Sequence, residues 1–171
     1  MSTRNCLVGV LALLLVSAGR HADACGYDGL GADLSLAHPD SLQVSLAVYQ
    51  AYQSKLLTRP LPLPGGFGMR RAQVALHRLG ESLPDAAGSF DLLLLEPGLW
   101  VHFAAHQGVW QLTVHSPAPA AGQPVVIIGE GALLAMVAGK LSAAQALDAG
   151  LLQLDPDPRQ VQRWQAAFGA P

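Results

Sequence analysis

The residues whose type and spacing most invite chemistry are three histidines in the middle of the chain, His102, His106 and His115. On an extended strand His102 and His106 project from one face. With His115 on a neighbouring strand, they offer imidazole nitrogens suited to zinc or copper. No Cys, Asp or Glu stands beside them at metal-ligand spacing, so ordinary surface histidines are the plainer expectation. Cys25 and His38 add a thiolate and an imidazole, soft donors that suit copper if the leader folds back. Cys25, His38, His102 and His106 are therefore the alternative metal-ligating set, while the primary reading requires no metal and no cofactor.

Hydrolytic and phosphoryl chemistry lack a sequence signature. No G-x-S-x-G elbow occurs, and no Asp stands in an evident relation to a His and a Ser. Gly129-Glu130-Gly131 follows a strand-like run and opens a helix-like one, as phosphate loops do. Glu130 would repel a phosphate, however, and the Lys-Ser/Thr pair of a P-loop is missing. The expectation is a binding protein, not an enzyme.

The N-terminus bears on where such binding would take place. Arg4, the apolar run CLVGVLALLLV from Cys6 to Val16, and Ala22-Asp23-Ala24 have the three parts of a secretory signal peptide. Cleavage after Ala24 is expected, delivering residues 25–171 to the periplasm or the exterior. The apolar run is well short of the ~20 residues of a spanning helix, so no transmembrane helix is expected in the mature chain. Cys25 would become the first mature residue, but Asp23 and the flanking alanines make a poor acylation signal. Since Cys6 is lost with the leader, Cys25 has no partner for an intramolecular disulfide. It remains a tolerated thiol at a terminus, or one that pairs with another chain or binds a metal.

The whole chain has 10 Lys and Arg against 12 Asp and Glu; loss of Arg4, Arg20 and Asp23 leaves a net charge of −3. No basic face is available to neutralise phosphates, so no nucleic-acid partner is expected. Charged residues make up 13% and apolar residues 51%. Some apolar surface must therefore line a cavity, meet a protein partner or contact a membrane.

The elements that must position these residues follow from periodicity and from glycine and proline punctuation. After an irregular leader, His38-Pro39-Asp40-Ser41 opens a helix over about 40–55 with a stripe of Leu42, Leu46, Tyr49 and Gln53, broadened by Val48, Tyr52 and Leu56. TRPLPLPGGFG, from Thr58 to Gly68, interrupts helix and sheet alike. A second helix is predicted over about 69–79, ended by Gly80 and Pro84. The runs FDLLLLE, LWVHFAAH and VWQLTVHS, separated by Pro97-Gly98 and Gln107-Gly108, predict an antiparallel three-stranded meander. Phe90–Leu95 is apolar on both faces and is expected to be central or covered on both sides. A β-branched strand at 124–128, a helix at about 131–138, a Ser142-capped helix, a strand at 151–154 and a terminal amphipathic helix carrying Val161, Trp164 and Phe168 complete the pattern.

Within this pattern VVIIGEGALLAMVAGKLSAAQALDAGLLQL, residues 125–154, resembles the sterol-carrier-protein-2-like lipid-binding domain, and the likeness in element order spans about 90–168. The resemblance implies an α/β (α+β) fold with a five-stranded, mainly antiparallel sheet and covering helices, enclosing an apolar tunnel for fatty acyl chains or sterols. Residues 25–89, with the two N-terminal helices, form an extension packed into the same domain. Leu133, Leu134, Met136, Val137, Leu147 and Leu151 would line a lipid pocket or fill an ordinary core. Trp100, Phe103 and Trp110 carry the same two readings. The expected function is non-covalent binding of an apolar small molecule; a metal-handling or protein-interaction accessory protein is the alternative.

Overall fold

The structure is a computed structural model, describing residues 38–83, 88–106 and 109–155. The leader with Cys25 and the terminal helix with Val161, Trp164 and Phe168 lie outside the described residues. In chain order the elements are α1 (Ser41–Gln53), α2 (Phe67–Ser82), β1 (Phe90–Leu94), β2 (Leu99–His106), β3 (Val109–Val114), β4 (Val125–Ile128), α3 (Glu130–Val137), α4 (Ala143–Asp148) and β5 (Leu152–Asp155). They form the mixed α+β architecture anticipated above, with one five-stranded sheet in the order β3-β2-β1-β4-β5.

The meander forms as alternation predicts, and β1 is the central strand. β1 pairs antiparallel with β2, and β2 with β3. β4 instead returns to the far side of β1 and pairs parallel with it, before β5 closes the edge antiparallel. Register places Phe90, Leu92 and Leu94 opposite Phe103, Val101 and Leu99 on one face. Phe90 and Phe103 stack with centroids 4.7 Å apart, and Trp110 lies 5.9 Å from Phe90. The Trp110 indole N–H donates to the Leu83 carbonyl at 3.0 Å, so the end of α2 is tied to β3.

Gly80 serves packing rather than termination. α2 continues to Ser82, and a Cβ at Gly80 would lie 3.2 Å from Leu112 Cδ1. The missing side chain lets helix and sheet approach closely. The glycines after α3 and α4 do end their helices. Gly139 and Gly150 have φ of 68° and 67°, and Lys140 N–H to Ala135 O, like Leu151 N–H to Ala146 O, completes a Schellman closure. Ser142 caps α4 through a reciprocal box with Gln145.

α1 presents a different face from the one its leucines suggest. Val44, Val48 and Ala51 are buried, whereas Leu42, Leu46 and Tyr49 are 62%, 54% and 55% exposed. The helix is apolar on most sides, and close approach decides the face. Gly129 leaves room for Val48, and small side chains fit where leucines would collide.

Candidate functional site

The turn from β4 into α3 holds a network of polar groups in an otherwise apolar interior. Glu130 is only 4% exposed, and its Oε1 accepts from Arg71 Nε–H of α2 at 2.8 Å. The Glu130 backbone N–H donates to Glu96 Oε2 at 2.6 Å, and Tyr52 O–H donates to Glu96 Oε1 at 3.4 Å. Arg71 Nη1–H also donates to the Leu61 carbonyl at 2.7 Å. One guanidinium thus ties the Pro-rich arm between α1 and α2 to the start of α3. Glu96 supplies the N-terminal cap that Gly129 cannot, taking up one of the free N–H donors of α3.

Burial pushes the Glu96 carboxyl above its ordinary value of 4.5, against the opposing pull of the backbone N–H groups that bond it. Burial likewise raises the Tyr52 hydroxyl, with the charge of Glu96 adding to it. The native state therefore holds the Glu96 proton more tightly than the unfolded chain does. Between pH 4.5 and the raised native value, stability must fall as pH rises. Glu96→Gln keeps an acceptor for the Glu130 N–H and removes the titration. We expect this variant to lose that acid-side gain in stability; urea unfolding at a series of pH values checks it, and an unchanged pH profile would contradict it.

The arm held by Arg71 forms one wall of a groove of about 490 Å³. Its apolar lining comes from Leu56, Leu57, Leu61 and Leu63 on the arm side and Leu134, Ala135 and Leu141 on the α3 side. Arg59, Arg71 and Lys140 line the same space. Arg59 stands over the Tyr52 ring at 5.3 Å. Leu61 and Leu63 on the arm are 75% and 38% exposed, so the arm leaves apolar surface open to solvent.

The expected ligand residues divide among several places. Leu134 lines the groove. Met136 and Val137 line a smaller hollow of about 210 Å³ with Leu79, Ser142 and Ala143. Phe103 and Leu133 are 0% exposed and Leu151 1%. A tunnel wall would keep accessible surface inside the tunnel, so these three are solid core. Trp110 and Leu147 pack partly buried against that core, and Trp100, half-buried, stands opposite Leu93. The arm residues were missed because proline and glycine mark them as a connection; the run of exposed leucines within it was the available signal.

Of the alternative metal set, Cys25 lies outside the described residues, and His38 and His102 meet different carboxylates. His102 Nδ1 lies 2.9 Å from Asp91 Oδ1, while His38 Nε2 lies 3.1 Å from Asp155 Oδ2. Asp91 and Asp155 both stand opposite Val125, on either side of β4, so two strand spacings, about 9.6 Å, separate them. His102 and His106 share the strand parity expected of them, yet among the described residues neither joins a three-donor group. Among the described residues, His38, Asp40 and Asp155 do form one, with donor atoms within 4.8 Å of one another. No described helix is long and apolar enough to cross a membrane.

Fold and site together define a mixed α+β protein with a five-stranded sheet and an apolar groove flanked by cations. No known family matches the chain, and no curated protein does. Among solved structures, it is similar to the inverting sec-alkylsulfatase Pisa1 from Pseudomonas sp., at 21% identity over 53% of this chain and 15% of that one, with a TM-score of 0.40. A double mutant of the sec-alkyl sulfatase PisA1 is similar at 19% identity over 84% and 26%, with a TM-score of 0.45. The conserved hypothetical protein TT1886 from Thermus thermophilus, a sterol carrier candidate, is similar at 18% identity over 67% and 96%, with a TM-score of 0.37. The chain spans about a quarter or less of the two alkylsulfatase chains.

Proposed function

We propose that this chain is an exported protein that binds an apolar small molecule with an anionic head, such as a fatty acid, in the groove between the arm and α3. The observation carrying this reading is the combination of a leucine-lined space of about 490 Å³ with Arg59 and Lys140 at its border. That volume lies within the range of small-molecule sites. Burial of the chain would drive binding at roughly 25 cal/mol per Å² of apolar surface, and the cations would select the head. The likeness of residues 125–154 to the sterol-carrier-protein-2-like domain points to the same ligand class, and the pattern of residues 1–24 supports export.

Calorimetric titration of the purified protein with laurate and with dodecanol tests the reading. Laurate is expected to bind about tenfold more tightly, a difference of about 1.4 kcal/mol. Leu134→Asp is expected to weaken laurate at least about tenfold by placing a carboxylate in the apolar wall. Replacing Arg59 and Lys140 together by glutamine should erase the preference over dodecanol. Absence of laurate binding by the folded protein would refute the reading. The metal-handling alternative has its own support in His38, Asp40 and Asp155; stoichiometric zinc or copper in the purified protein, with no ligand in the groove, would favour it.

A further inference from the structure

A second cleft, of about 420 Å³, opens where β1, β2 and β3 meet the loop after β3. Asp91 and His102 are cross-strand partners and therefore share a face. His102 Nδ1 and Asp91 Oδ1 lie 2.9 Å apart. A carboxylate only accepts, so in the neutral ring this contact puts the proton on Nδ1 and leaves the lone pair on Nε2. The Asp91 side chain is 13% exposed and that of His102 42%. The pair thus has a sheltered carboxylate behind a ring that reaches solvent, with both residues lining the cleft.

The backbone then brings a hydroxyl to the same wall. β3 ends at Val114, and His115 adopts a left-handed φ of 62°. Continued pairing would set His115 opposite Trp100, yet it is Ser116 N–H that donates to Trp100 O, at 3.1 Å. His115 and Ser116 together oppose one residue, a bulge of the kind that re-aims side chains beside active sites. A non-glycine residue in this conformation marks stored strain. Ser116 lines the cleft, and its Oγ is buried without a hydrogen-bond partner. Trp100 and His102 are neighbours on one strand face, and Ser116, bonded through its N–H to Trp100, lines the same cleft as His102.

We propose that this cleft hydrolyses small carboxylic esters, with Ser116 as nucleophile, His102 as general base and Asp91 as the carboxylate that orients it. As substrate enters, a χ1 change of Ser116 turns its hydroxyl out of its buried position into the cleft and toward His102 Nε2; such hydrogen bonds are often loose before substrate binds. Oγ attacks the ester carbonyl carbon and its proton passes to Nε2. The bond to the alcohol oxygen then breaks, and the imidazolium returns the proton to the departing alcohol. Water loses a proton to Nε2 and attacks the acyl-serine, releasing the carboxylic acid and restoring the hydroxyl. Proline and alanine at 117–120 give the cleft small apolar walls, which favour short acyl groups over extended chains.

A fluorophosphonate probe on the purified protein, with peptide mapping and 4-nitrophenyl acetate turnover, tests this. Labelling at Ser116 is expected, and Ser116→Ala should abolish both label and turnover. Asp91→Asn leaves the hydroxyl and the ring in place and should slow labelling at least about tenfold with the melting temperature little changed. It serves as the deciding variant if Ser116→Ala does not fold. No label on the folded protein, a label mapping to Thr113 or elsewhere, or an Asp91→Asn rate equal to the unsubstituted one would each overturn the assignment.

Discussion

Arg71→Met is expected to lower stability by about 3 kcal/mol, read as roughly a 10 °C fall in melting temperature. Glu130 sets the size of the effect, because its carboxylate is only 5% exposed while the guanidinium that bonds it is 23% exposed. Truncating one member of a buried pair takes the counter-ion away from a carboxylate held largely out of water, a change that typically costs about 3–5 kcal/mol. The partial exposure of Arg71 places the expectation at the low end. The same substitution removes the bond from Arg71 to the Leu61 carbonyl, so residues 56–63 should lose protection in hydrogen exchange. Pairing it with Glu130→Met removes the buried carboxylate as well, and about half the lost stability should return. A single variant that melts within about 2 °C of the unsubstituted protein would show that the bridge does little for stability.

That bridge also shows why the site was only partly legible in the sequence. Strand positions were readable because alternation and turn residues act locally. Leu99–His106 lies between Pro97-Gly98 and Gln107-Gly108, and its inward residues are Leu99, Val101 and Phe103. The Ser142-Gln145 box and the Gly139 and Gly150 closures were readable for the same reason. Arg71 and Glu130 stand 59 residues apart, and no local rule pairs them. Asp91 and His102 are nearer, 11 residues apart, yet their contact depends on strand register, and Ser116 joins them only because a bulge interrupts the ladder. The absence of a serine elbow in the sequence could not reveal a cleft assembled from three strands.

The helix faces carry a related lesson. In α1, leucine and valine both satisfy a hydrophobic template, so periodicity admits more than one buried stripe. The choice is made by a partner far along the chain, the glycine at the end of β4. Similarly, Leu133 and Leu134 are adjacent and chemically identical, yet Leu133 is sealed in the core while Leu134 lines the groove. The rotation of α3 about its axis separates core from groove there, and contacts around Glu130 help to set that rotation.

Gly129→Ala provides the sharpest measure of how tightly that corner is set. Gly129 has φ −83° and ψ 151°, ordinary extended values that alanine adopts without strain, so any cost must come from packing. A Cβ built there lies 2.7 Å from Val48 Cγ2 and 3.2 Å from Cγ1. Both atoms sit close to a buried backbone and cannot swing away as the end of a long side chain would. Either α1 or the start of α3 must shift, and overpacking of this kind typically costs about 1–3 kcal/mol. Val48→Ala alone should cost about 2 kcal/mol through lost burial and the cavity left behind. In the double variant the new methyl occupies space that the valine vacated; the nearest remaining contact is Glu96 Oε1 at 3.3 Å. The two losses are therefore expected to fall short of additivity by about 1 kcal/mol or more in urea unfolding. Strict additivity would mean that Val48 and Gly129 do not share the contact that orients α3, and the rotation separating Leu133 from Leu134 would need another cause.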